Sequence, residues 1–192
     1  MVWYFDLVSP FAYLALPAVE RLAARHPVRL RPVVFGAILS HWGGLGPAEV
    51  APKRLHTYRL CRFLADQAGL PLRFPPAHPF RSLDALRGLS TTDEPGLPEV
   101  RAAFDHIWGQ GGDPALLPGS ADPAAKDRLR AWAAEAIGAG VFGVPSLVVD
   151  GEVFWGLDAM PMAEAYLRTP ALFRQGEMTR LDTLPVGVTR GE

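Results

Sequence analysis

The sequence predicts an α/β fold in which a βαβ unit and a ββα unit build one sheet around a long helical block. Three observations predict it. Short runs rich in β-branched and aromatic residues occur only towards the two ends, at residues 1–5, 27–36 and 146–155. A stretch with helical spacing joins the first two runs, the crossover that a parallel pair of strands needs. From Pro47 to about Ala139 the pattern is helical throughout, punctuated by Pro and Gly.

Each element has a local cause. "MVWYF" reads as a buried strand. Ser9 and Pro10 then suit an N-cap and a first helical position, and Leu14, Val19 and Leu22 recur at helical spacing as far as Arg25. "PVRLRPVVFG", residues 27–36, is the next strand, followed by a loop, "SHWGGLGP". In the helical block, Ser82 and Asp122 are suited to start helices, and Gly69, Gly88 and Gly138 to end them. "SLVV" and "EVFW" flank Asp150-Gly151, a strong hairpin signal. A last helix is expected over residues 158–168, with Asp158 suited to its N-cap, and the polar tail from Arg174 onwards reads as partly loose. The predicted division is a core in two segments, residues 1–46 and 140–192, interrupted by a helical insertion, residues 47–139.

The totals narrow the function. The chain has 192 residues, 49% of them apolar, and a formal net charge of −1. That composition buries a sizeable core and lacks the basic surplus of a nucleic-acid binder. No window reads as a membrane span or a charged leader with an apolar core, so a cytoplasmic location is the expectation. The five histidines have no metal-ligand spacing, and no metal is expected. Cys61 is the one cysteine, placed on a helical stretch, and reads as a buried, inert thiol. Trp108, Trp132 and Trp155 fall at apolar positions and read as core.

Order βαβ, helices, ββα is, with its middle removed, that of a thioredoxin-like fold. In that layout the turn after the first strand carries the redox-active residues. Here it reads Ser9-Pro10-Phe11-Ala12 and holds no sulfur. A hydroxyl at a helix N-terminus still suits an anion. Disulfide chemistry is excluded, and any thiol has to come from outside, with glutathione the obvious candidate. Pro145, before the third core strand, is expected in the cis form beside that turn, leaving the Val144 amide and carbonyl free to bond an extended peptide. Phe11 lies inside the turn and is placed to touch substrate. His41 and Trp42, in the expected loop, are read either as lining the acceptor pocket or as plain surface.

"YFDLVSPFAYLA", "WGQGGDP" and "GVFGVPSLVVDGEVFWGLDAM", in that order, make the chain similar to the 2-hydroxychromene-2-carboxylate isomerase and kappa-class glutathione transferase family, DsbA-like members of the thioredoxin superfamily. The resemblance implies a homodimer and glutathione as cofactor. Ser9 would bond its sulfur, Lys53 would help hold the tripeptide, Val144-Pro145 would clamp the cysteinyl backbone, and Leu157 and Asp158 would meet the γ-glutamyl end. Several family positions differ: His56, Leu60 and Phe63 stand where a tyrosine, an aspartate and an arginine are usual, and Ala159 replaces an arginine. These departures concern the substrate pocket. The implied activity is glutathione-dependent cis-trans isomerisation of an aromatic α-keto acid. The alternatives are a transferase that conjugates glutathione to electrophiles, and a non-catalytic thioredoxin-like binding module.

Overall fold

A computed structural model describes residues 1–188. Its centre is β1 (Val2–Phe5), all four residues of which are buried. Parallel to it lies β2 (Arg29–Pro32), reached through α1 (Pro10–Ala23). On its other side β3 (Ser146–Val149) runs antiparallel and pairs with β4 (Glu152–Trp155), giving the order β2-β1-β3-β4. The expected parallel crossover and hairpin are both present. The hairpin turns on Asp150 at φ 51° and Gly151 at φ 90°, a left-handed pair that Asp-Gly adopts at low cost.

Strand alternation divides the core into two layers. Trp3 and Phe5 face one layer together with α1, while Val2 and Tyr4 face the other with Ile38, Trp132 and Ala136. The helical block supplies both. It comprises α3 (Ala51–Ala68), α4 (Leu83–Leu89), α5 (Leu97–Phe104) and α6 (Pro123–Gly138). Cys61, Ala65, Leu72, Phe104 and Trp108 of the insertion share one apolar cluster with Trp3, Phe5 and Tyr13, so the insertion and the sheet are packed as one core. Polar contacts join them as well. The Tyr13 hydroxyl donates to the Pro71 carbonyl at 2.7 Å, and Arg101 makes a paired contact with the Glu20 carboxylate.

The sequence reading holds at several helix ends and fails at others. Asp122 caps α6 by accepting from the Ala124 amide, and Gly69 ends α3 in the left-handed region. Gly88 does not end a helix. It lies inside α4, where a Cβ would fall 2.0 Å from the Pro118 carbonyl oxygen, so it permits a close approach of two backbones. The strand expected over residues 27–36 stops at Pro32, and the loop expected after it is α2 (Phe35–Trp42). The cause is tertiary: the buried Asp6 carboxylate accepts from the Phe35 amide at 2.8 Å and so starts a helix that no local cap announces. The last long helix, α7, is Met160–Arg168 and its N-cap is Ala159, so Asp158 does not cap it. The tail is more ordered than its composition suggests. It carries α8 (Glu177–Leu181), and Phe173, just before it, packs on Phe154 and Tyr166. The final four residues of that tail lie outside the described residues.

Candidate active site

A cleft of about 960 Å³ opens where the turn after β1 meets the helical block. This is at the upper end of small-molecule sites, roughly 300–1,000 Å³. One wall comes from the sheet half of the chain: Ser9, Phe11, Val144, Pro145 and residues 155–158. Another comes from the insertion, through Glu49, Thr57, Leu60, Leu64 and residues 78–83. Phe35 and Leu39, on α2, complete it.

Ser9 caps α1. Its hydroxyl oxygen accepts from the Ala12 amide at 3.3 Å, and the hydroxyl faces the Val144 carbonyl oxygen at 3.5 Å. The second distance is at the outer limit of a hydrogen bond, so the proton is free to turn towards a better acceptor. Pro10 has no amide hydrogen and the Phe11 amide has no partner among the described residues, leaving one donor at the positive end of α1. Val144-Pro145 is cis. The Pro145 carbonyl is used by the Gly156 amide at 2.8 Å, whereas the Val144 amide has no partner among the described residues. An extended backbone could therefore pair with Val144 beside the serine hydroxyl.

The turn is held from behind by the insertion. The Trp108 indole, fully buried, donates to the Leu7 carbonyl at 2.8 Å. Trp108 lies in a widened helical turn, Asp105–Gly109, that follows α5. His78 Nε2 donates to the Val8 carbonyl at 2.9 Å, with the Tyr58 hydroxyl 2.8 Å from Nδ1. Burial against Tyr58, Phe80 and Trp108 pushes the His78 pKa down, against the pull of the Val8 bond, so the ring is held neutral. Asp6, 1% exposed at the cleft floor, accepts from the Val8 amide at 3.0 Å as well as from Phe35. Burial raises its pKa, opposed by the Phe35 amide, the Ser82 hydroxyl and the Val8 amide.

Six of the residues singled out from sequence thus line one cleft: Ser9, Phe11, Val144, Pro145, Leu157 and Asp158. The Asp158 carboxylate makes no ion pair among the described residues and lies against Gly156. Lys53 sits exposed in the first turn of α3, outside the lining. His41 and Trp42 end α2 and are also outside it, and the Trp42 indole donates to the Val141 carbonyl at 3.0 Å. Trp155 departs from its reading as core. It is 52% exposed, packs edge-on against Phe142 at 5.1 Å and lines the cleft. Asp6, His78 and Arg81 were not singled out. Cys61 is buried away from the cleft, and burial pushes its thiol up to about 12, in keeping with an inert side chain.

A model of the DSBA-like thioredoxin domain matches residues 1–118 and 115–168. The chain belongs to the DSBA-like thioredoxin domain family. Within it, the chain is 30% identical to the 2-hydroxychromene-2-carboxylate isomerase of Sphingobium xenophagum, covering 86% of this chain and 96% of that one. It is 28% identical to the enzyme of the same name from Pseudomonas putida, covering 85% and 91%. A solved structure of a selenomethionine 2-hydroxychromene-2-carboxylate isomerase superposes with a TM-score of 0.75 at 25% identity, over 95% of this chain and 98% of that one. These relatives make this DSBA-like protein an isomerase. In this DSBA-like scaffold a helix N-terminus and a cis-proline meet at the cleft, with a serine and no cysteine at the turn.

Proposed function

We propose that the protein interconverts geometric isomers of an aromatic 2-oxo acid of the 2-hydroxychromene-2-carboxylate type, with glutathione as its thiol cofactor. The observation that carries this reading is the Ser9 corner: a hydroxyl with a redirectable proton, at a helix N-terminus, opening on a cleft that contains no cysteine. The name shared by the relatives supports the substrate class. The residues present fit a tripeptide thiol, because among the described residues the Val144 amide next to Ser9 has no partner and the Asp158 carboxylate in the same wall has no ion pair.

When bound, glutathione supplies a thiolate that adds reversibly to a conjugated double bond and so permits rotation about it. Ser9 turns its hydroxyl from the Val144 carbonyl to the sulfur and, with the Phe11 amide, favours the ionised form. Val144 pairs with the cysteinyl backbone, Leu157 bonds through its own backbone, and Asp158 meets the γ-glutamyl ammonium. Phe11, Phe35 and Leu39 give the reacting face an apolar surface that limits water.

Ser9→Ala tests the reading. Losing one aimed donor should lower turnover at pH 7 about a hundredfold, while glutathione affinity, measured by calorimetry, changes by only a few-fold. Equal losses in the two would reduce Ser9 to a helix cap. Total thiol should be unchanged after complete turnover, and its consumption would make the enzyme a transferase instead.

A further inference from the structure

Among the residues lining the cleft, Arg81 is the one Lys or Arg. The other charged or titratable groups there are the carboxyls of Asp6, Glu49 and Asp158 and the neutral ring of His78. Glu49 is engaged, since Oε1 accepts from the Gly46 amide at 2.6 Å. Arg81 has no ion pair among the described residues, although most of the arginines on the helical block are paired, including Arg62, Arg87, Arg101 and Arg128. Its side chain is exposed to the cleft while its neighbours are held. Ser82 is 6% exposed with its hydroxyl at the Asp6 carboxyl, and Phe80 packs on His78 and Trp108. The His78 ring is fastened to the Val8 carbonyl, next to Ser9. The segment carrying Arg81 is therefore attached to the active turn on both sides of the arginine.

A guanidinium with no ion pair among the described residues, on a fixed loop in a cleft whose other charged groups are carboxyls, is suited to one kind of group. It takes a carboxylate in bidentate fashion, or a carboxylate oxygen together with an adjacent carbonyl oxygen. Glutathione and a 2-oxo acid both carry carboxylates. The residues assigned above to the tripeptide all belong to the sheet half, whereas Arg81 belongs to the insertion wall. We infer that Arg81 binds the 2-oxo carboxylate of the acceptor substrate and is the residue by which this enzyme selects acidic over neutral conjugated ketones. The inference rests on the proposed substrate class. It also assigns Arg81 a part in the reaction, because electron density moved out of the double bond arrives at the 2-oxo oxygen, where the guanidinium donates.

The test is binding in the absence of glutathione, so its result does not depend on the cofactor. Benzylidenepyruvate and benzylideneacetone differ only in a carboxylate against a methyl group. The native protein should bind the first about ten- to thirtyfold more tightly, the range of a charge-assisted hydrogen bond at a solvent-accessible site. Trp155 in the cleft wall provides a fluorescence readout, and calorimetry an independent one. In Arg81→Gln the benzylidenepyruvate affinity should fall to that of benzylideneacetone, while the latter and glutathione each stay within about twofold. Arg81→Lys should recover part of the preference, and the thermal transition of both variants should match that of the native protein. Three results overturn the inference: equal binding of the two ligands by the native protein, a preference that survives in Arg81→Gln, or a loss confined to glutathione. The last would place the guanidinium on the tripeptide. Failure of the proposed function is a separate result, seen as isomerisation that needs no glutathione.

Discussion

Two buried tryptophans allow the attachment of the active turn to be measured. Trp108 and Trp3 are both fully buried in the same apolar cluster. The Trp108 indole N–H donates to the Leu7 carbonyl at 2.8 Å, whereas the Trp3 indole nitrogen has no partner among the described residues. Substitution by Phe keeps an aromatic ring at each position and leaves a void of similar size, at about 1–2 kcal/mol. Trp108→Phe also leaves the Leu7 carbonyl without a partner, at about 1–3 kcal/mol, while Trp3→Phe removes an unsatisfied donor and recovers part of its void cost. Trp108→Phe should therefore destabilise by about 2–5 kcal/mol, and Trp3→Phe by at least about 2 kcal/mol less. Urea unfolding at pH 7, followed by far-ultraviolet circular dichroism, measures both, with the slope checked for constancy. Leu7 is two residues before Ser9, so turnover should fall in Trp108→Phe and be nearly unchanged in Trp3→Phe. If Trp3→Phe cost as much stability as Trp108→Phe, the bond to Leu7 would not be what secures the turn.

Two more predictions concern titration and reactivity. Burial holds the His78 pKa below its unfolded value, so the folded state binds fewer protons; the stability contributed by neutral His78 is complete above about pH 6.5 and is lost as pH falls towards the folded pKa. The stability difference between native protein and His78→Gln should accordingly shrink on going from about pH 7 to pH 5, and a difference independent of pH would refute the assignment. Asp6, raised by burial, contributes with the opposite sign, but it is common to both proteins and cancels in the subtraction. Cys61 should resist iodoacetamide at pH 8 in the folded protein and react on unfolding, because the thiol is buried and its pKa is about 12. Rapid alkylation without unfolding would contradict its placement in the core.

Legibility from sequence followed the range of the interactions. Ser9-Pro10, Asp150-Gly151 and Asp122-Pro123 specify their turns and helix starts through backbone sterics and caps that act over two or three residues, and all three are found where expected. Pro145 was located by its place in the inferred layout. By contrast, α2 looked like strand and loop because its first amide is bound by Asp6, 29 residues earlier. Trp155 looked like core because its strand pattern is apolar, but β4 is the edge strand and its end opens on the cleft.

By itself the sequence determined the order of elements, the serine at the helix N-terminus and the absence of a redox cysteine pair, since each is carried by neighbouring residues or by composition. The tertiary structure decided which side chains share the cleft. His78 meets Val8 across 70 positions, Trp108 meets Leu7 across 101, and Ser9 faces Val144 across 135. It also brought Arg81 into the cleft. The physical reason is that local propensity fixes the path of the backbone, whereas the direction in which a side chain faces is set by packing against segments far along the chain.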